Sequence, residues 1–298
     1  MDQLIAVCID GVIYSSWLFT SAIGLTLIYG VMKILNITHG SFYALGAYMA
    51  ASVTGALLAR GMEPMLSYVV LLASAAAVAL IVAPLLERGL LRFMYTKDEV
   101  VIMLITYACF LMLEDAIKLI WGVDPYFVAE PYGLLDSFEI GSLTYPNYNL
   151  ILIGIAVASG LGLVYVLNKT RVGRLLLTVI HDPEISRAMG INVDRFYLVT
   201  FSFGAFLASM AGAFTAPTLS VVPAMGVDII VLSFAVVVIG GLGSLQGAAV
   251  GAVIVGLVRS ISIHFAPELE LFVIYFVMAL VLAVRPRGLF SVAEARKI

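Results

Sequence analysis

Charge is scarce in this chain. Only 12% of its 298 residues are Asp, Glu, Lys or Arg, about half the share of an ordinary soluble domain. The formal net charge is −3 and no basic stripe runs along the sequence, so nothing points to nucleic acid. Cysteine is nearly absent. Cys8 and Cys109 lie in or beside apolar segments, and two such residues make neither a disulfide framework nor a metal site. There is no GxxxxGK[ST] run, so the chain cannot hold ATP by a phosphate loop. Alternating strand patterns are missing too, which leaves helices to satisfy the backbone in lipid.

What is present is apolar sequence. Hydrophobic residues make up 62% of the chain and the mean hydropathy is +1.10. No soluble fold of this length hides that much apolar surface, so the reading is an all-α polytopic membrane protein. Nine apolar segments stand out, at 8–32, 40–58, 65–86, 100–121, 149–167, 196–216, 227–239, 247–264 and 269–284. Most reach the roughly 17–25 residues that cross a bilayer as a helix. Segment 227–239 is the short one. At about 1.5 Å per residue it spans only about 20 Å. Merging it with 247–264 gives eight crossings and puts a basic tail outside, so nine is preferred.

Charge orients the stack. Segment 87–99 carries Arg88, Arg92 and Lys97, and 168–195 carries Lys169, Arg171, Arg174, Arg187 and Arg195. The tail carries Arg285, Arg287, Arg296 and Lys297. All three belong in the cytoplasm by the positive-inside rule. The connection 122–148 has Asp124, Glu130, Asp136 and Glu139 and no Lys or Arg, so it belongs outside. Only an outside N-terminus satisfies these assignments over nine crossings. The chain then reads as one transmembrane domain, 1–298. Connection 122–148, rich in tyrosine, is either a ledge for a partner or an interfacial aromatic belt.

Within 168–195, a short helix is signalled at 183–189. Asp182 is a good N-cap and Pro183 suits the first helical position. Glu184 sits in the first turn, where a carboxylate favours the helix dipole. Gly190 is a natural stop. Ile185, Ala188 and Met189 share one face by their spacing. A helix of about 10 Å is marginal alone and needs packing, within this chain or against a partner.

Two breaks interrupt the apolar sequence. The first is Leu35-Asn36-Ile37-Thr38-His39-Gly40, with Tyr43 just beyond it; the second runs from Gly240 and Gly241 through Gly243 and Ser244 to Gly247. Unwound backbone at membrane depth is tolerated only beside protein or a water-filled cavity. Paired interruptions in the two halves of a transporter point to the substrate route and suggest a weak internal repeat. The competing reading is close helix packing through small residues, and His39 reads as a hydrogen-bonded packing residue. Glu114, Asp115 and Lys118 sit inside one span. A Glu114–Lys118 pair near the outer rim is favoured over a coupling-ion site.

The run GLTLIYGVMKILNITHGSFYALGAYMA resembles the first third of LivH-type permeases of branched-chain amino-acid ABC importers. DPEISRAMGINVDRFYLVTFSFGAFLASMAGA resembles their coupling loop and the span after it. VVIGGLGSLQGAAVGAVIVGLV and VRPRGLF are similar to their last third. The resemblance implies a non-enzymatic permease subunit in a prokaryotic inner membrane. It would translocate branched-chain or other small amino acids, with urea or amides as related cargoes. It implies a second permease subunit, two ATP-binding subunits holding ATP and Mg, and an extracytoplasmic substrate-binding protein. The residues Asp182, Pro183, Glu184, Ile185, Ala188, Met189 and Gly190 would then couple to the ATPase. Asn36, Thr38, His39, Gly40, Tyr43, Gly240, Gly241, Gly243 and Ser244 would line the route. No cofactor or metal is expected on the chain itself. An ion-coupled secondary transporter and a passive solute channel are the alternatives from the residues alone.

Overall fold

A computed structural model describes residues 2–290. Eleven α-helices account for most of them: α1 (Asp2–Met32), α2 (His39–Leu58), α3 (Ser67–Gly89), α4 (Glu99–Trp121), α5 (Tyr148–Lys169), α6 (Arg171–His181), α7 (Pro183–Ala188), α8 (Val193–Thr215), α9 (Met225–Gly240), α10 (Leu245–Phe265) and α11 (Glu270–Val284). Eight helical stretches are long and apolar enough to cross a membrane, and α9 is a shorter apolar helix. The fold is an all-α polytopic membrane protein. A small antiparallel hairpin, β1 (Ser137–Ile140) with β2 (Leu143–Pro146), lies in the acidic connection. Its four-residue strands are too short to have given a pattern in the sequence.

Among the eight candidate spans, α8 and α2 are the most enclosed and α5 and α11 the most open. Small residues set the crossings. Cβ atoms at Gly212 and Gly46 would collide with the Tyr43 carbonyl and the Ser209 backbone, so α2 and α8 meet backbone to backbone. Gly24 and Gly204 make a similar contact between α1 and α8, and Gly11 and Gly256 one between α1 and α10. With lipid on one side and apolar side chains on the other, such close packing is what drives helix association in a bilayer.

Residues 33–38 form no helix. They turn back from the end of α1 and deliver His39 to the middle of that helix, where its Nε2 lies 2.9 Å from the Ser21 carbonyl oxygen. α2 therefore starts well inside the bundle. Farther on, α9 and α10 pair antiparallel, with Gly240 against Gly247 and Gly251 against the Val236 carbonyl. The turn between them makes 227–239 and 247–264 separate helices, not one broken crossing.

The two ends of the bundle segregate as alternating crossings require. At one end, Gly243 lies beside Gly30 and Gly241 against Phe290, and Arg92 reaches Asp194. At the other, Tyr126 pairs with Val221, Ser142 with Asp2, and Arg259 forms an ion pair with Glu270 at 2.5 Å. The first end collects the basic segments, including Arg285 and Arg287; Arg296 and Lys297 lie outside the described residues. The second collects the acidic connection.

Candidate functional site

The polar stretch at the basic end is two helices, not one. Thr170 caps α6 by accepting the Gly173 N–H at 3.0 Å. Gly173 packs on the Val166 carbonyl and Leu167, so α6 folds sharply back on α5. Gly173, Leu176 and Val179 face the bundle, at the three-residue spacing of one helical face. The flanking arginines hide this stripe from a composition reading.

Next in the chain comes α7, close to expectation. Asp182 Oδ1 accepts the Ile185 N–H at 2.9 Å, and Pro183 occupies the first turn. Ser186 is its one buried residue, and its Oγ donates to the Asp182 carbonyl at 2.7 Å. The helix ends at Ala188, one residue earlier than the spacing predicts; Met189 is its C-cap and Gly190 follows at φ 84°. That left-handed backbone suits glycine, which has no Cβ to clash. Ile185 is 57% exposed and Met189 70%. Glu184 and Ala188 are exposed beside them. α7 thus presents an apolar face rimmed by an acid, away from its own bundle. Arg187 reaches the other way, 3.1 Å from Asp194, whose second oxygen lies 3.1 Å from Arg92. Asp194 thereby ties α7 and the start of α8 to the α3–α4 connection. There Tyr95 donates to Glu87 Oε1 at 2.6 Å; burial and this carboxylate push the phenol above its usual pKa.

The first break sits deep and is sealed. Asn36, Thr38, His39, Gly40 and Tyr43 are all buried. Thr38 donates to the Thr106 carbonyl on α4 at 2.8 Å, and Tyr43 shares a hydrogen bond of 2.5 Å with Thr215 on α8. Two groups stand apart: among the described residues neither Oδ1 nor Nδ2 of Asn36 has a hydrogen-bond partner, and His39 Nδ1 has none either. An orphaned buried group costs about 1–3 kcal/mol, so the Asn36 amide is a strained polar point within an apolar core.

Gly40 packs against Gly226 and Ile230 at the start of α9. Glu114 enters the same junction. Its Oε2 accepts the Ala224 N–H at 3.0 Å, while Oε1 and the Gly40 carbonyl crowd the place a Gly226 Cβ would take. The expected Glu114–Lys118 pair is not the one formed. Lys118 lies 3.2 Å from Asp115 on the exposed side of α4, and Glu114 turns inward because Ala224 offers it an unpaired helix-end N–H. Sequence reasoning missed this role, since its partner is 110 residues away.

The second break lies at the opposite end of α9. Gly240 and Gly241 are buried, whereas Gly243 and Ser244 are partly exposed. Gly241 (φ 109°) and Gly243 (φ 79°) take backbone that a side chain disfavours. Ser244 caps α10 by accepting the Gly247 N–H at 3.0 Å. The structure does not bring the two breaks together. It places one at each end of α9, about 24 Å apart by helical rise.

The chain is thus a many-helix membrane bundle with non-helical breaks and a short exposed helix at its basic end. The family model for "Branched-chain amino acid transport system / permease component" matches residues 7–282, and the chain belongs to that family. It is 25% identical over 298 residues to the high-affinity branched-chain amino acid transport system permease protein LivH of Salmonella typhimurium, covering 97% of this chain and 96% of the relative. It is 25% identical over 303 residues to the corresponding permease BraD of Pseudomonas aeruginosa, covering 97% and 96%. It is also 27% identical over 248 residues to the ribose import permease RbsC of Escherichia coli, covering 80% and 72%. No solved structure matches the chain.

Proposed function

We propose that the protein is the membrane-spanning permease subunit of an ATP-binding-cassette importer for branched-chain or similar small amino acids. The observation that carries the reading is α7: a capped helix of six residues, at the basic end, whose apolar face stays exposed among the described residues. A face of that size is too small to anchor in lipid and suits a groove on a soluble subunit. The basic end is assigned to the cytoplasm by charge, and the acidic connection to the side where a binding protein delivers substrate.

Two ATP-binding subunits would press on α7 from the cytosol, and a second permease subunit would complete the pore. Asp194 supplies the mechanical link from α7 to the α3–α4 connection. The break residues supply the gated section. Asn36, Thr38, His39, Gly40 and Tyr43 are closed off in this conformation, and the unpaired Asn36 amide supports a second conformation in which it meets water or substrate. Closure then requires contacts that differ between the two states. Family membership supports the amino-acid cargo, and the ribose relative supports keeping cargo class separate from fold.

Reconstitution tests this. Proteoliposomes holding this chain, its companion permease and the ATPases should take up leucine only with internal ATP. Uptake by this chain alone, driven by a sodium or proton gradient, sinks the proposal in favour of a secondary transporter.

A further inference from the structure

The end of α3, the α3–α4 connection and the first turn of α8 enclose a cavity of about 240 Å³. Arg88, Arg92 and Arg195 line it together with Glu87, Asp194 and Leu198. The carboxylates are occupied. Glu87 accepts from Tyr95, and Asp194 accepts from Arg92 and Arg187. Arg88 and Arg195 are exposed, and neither guanidinium forms an ion pair or a hydrogen bond among the described residues. Four guanidinium groups therefore surround two carboxylates, and Arg88 and Arg195, which are in direct ion-pair contact with neither, line the same cavity.

Each free arginine also stands at the foot of an apolar stripe. On α3, Ile81, Leu85 and Arg88 follow at spacings of four and three; on α8, Arg195, Val199 and Phe203 follow at spacings of four. Those spacings place each set on one helical face. Ile81, Leu85, Val199 and Phe203 are 59%, 68%, 61% and 42% exposed. A small soluble anion has no use for such stripes. Two acyl chains do, with the phosphate held between two arginines where the helices leave the hydrocarbon. Basic pockets between spans on the cytoplasmic side are a recurring form of headgroup recognition.

We propose that this cavity is a specific site for an anionic phospholipid of the leaflet at the basic end, its phosphodiester gripped by Arg88 and Arg195 and its acyl chains lying along Ile81–Leu85 and Val199–Phe203. The site shares Asp194 with the link to α7, but the proposed lipid contacts, Arg88 and Arg195, are not part of the α7 face.

The test uses the intact assembly in nanodiscs of phosphatidylcholine alone or mixed with phosphatidylglycerol, with lipid retention read by native mass spectrometry. Wild type should keep phosphatidylglycerol over phosphatidylcholine, and Arg88→Gln/Arg195→Gln should weaken that preference roughly 10- to 30-fold. Arg88→Lys/Arg195→Lys should keep most of it. Added inorganic phosphate should not displace the lipid. Equal retention of both lipids by wild type overturns the proposal without any variant. Ready displacement by phosphate makes the cavity a soluble-anion site and also overturns it. So does an unchanged lipid preference in the Gln variant with ATPase association lost, since the arginines then serve a protein interface.

Discussion

Glu114 accepts the backbone N–H of Ala224 at 3.0 Å, pinning the start of α9 to the fourth span. Ala224 is one of two non-glycine residues with positive φ among the described residues, at 69°. The left-handed region costs an alanine roughly 1–2 kcal/mol, and the carboxylate helps hold it there. Glu114→Leu should therefore leave a helix-end N–H unpaired and lower stability by about 1–3 kcal/mol. Glu114→Gln, which keeps an acceptor oxygen, should lose far less. Thermal unfolding in detergent measures both; equal losses would remove the hydrogen bond as the cause.

Ala224→Gly tests the same strain from the other side. Glycine relieves the left-handed penalty but adds freedom to the unfolded chain. The expected net gain is up to about 1 kcal/mol, read as a higher unfolding midpoint. A lower midpoint means that the Ala224 methyl group packs to more effect than the backbone is strained.

Glu184→Lys should weaken ATPase association by reversing the acid on the exposed face of α7. Gly190→Pro should do so by a different route, because φ 84° is closed to proline and the Gly190 N–H to the Arg187 carbonyl is lost. Membrane insertion should be unchanged in both. Normal capture of the ATPases by both variants would count against α7 as the docking element.

In a Cys8→Ser/Cys109→Ser background, Leu242→Cys should react with water-soluble thiol reagents in the conformation described here, since Leu242 is 37% exposed. Asn36→Cys should be protected in the same conformation and should react in another step of the ATP cycle. Inertness of Asn36→Cys in both resting and ATP-trapped complexes would reduce the first break to a packing element.

Gly212→Val places a branched side chain against the Tyr43 carbonyl at the crossing of α2 and α8. Overpacking of this kind costs about 1–3 kcal/mol or more, and here the obstacle is backbone. Gly154→Val, where a Cβ would meet nothing within 4 Å, serves as the control and should be close to neutral in the same unfolding assay.

The spans were legible because lipid leaves apolar length as the main signal, and the cap chemistry of Asp182, Pro183 and Gly190 is local enough to read directly. α6 was not, because Arg171 and Arg174 interleave with Gly173, Leu176 and Val179 and give the stretch a polar average. Local spacing also misassigned Lys118, which pairs with Asp115, since nothing in the neighbourhood of Glu114 announces Ala224. The break residues were visible as interruptions, but their depth depends on a chain reversal at Lys33, whose φ of 56° no pattern foretells. Arg88 and Arg195 illustrate the same limit: each is an ordinary basic residue until the fold sets them around one cavity.

α9 is seated glycine-on-backbone at both extremities, on Gly40 at one and on Gly247 at the other. Both seats press backbone on backbone from the side, with no side-chain padding to give way, so any shift of this helix has to part it from α2 or from α10.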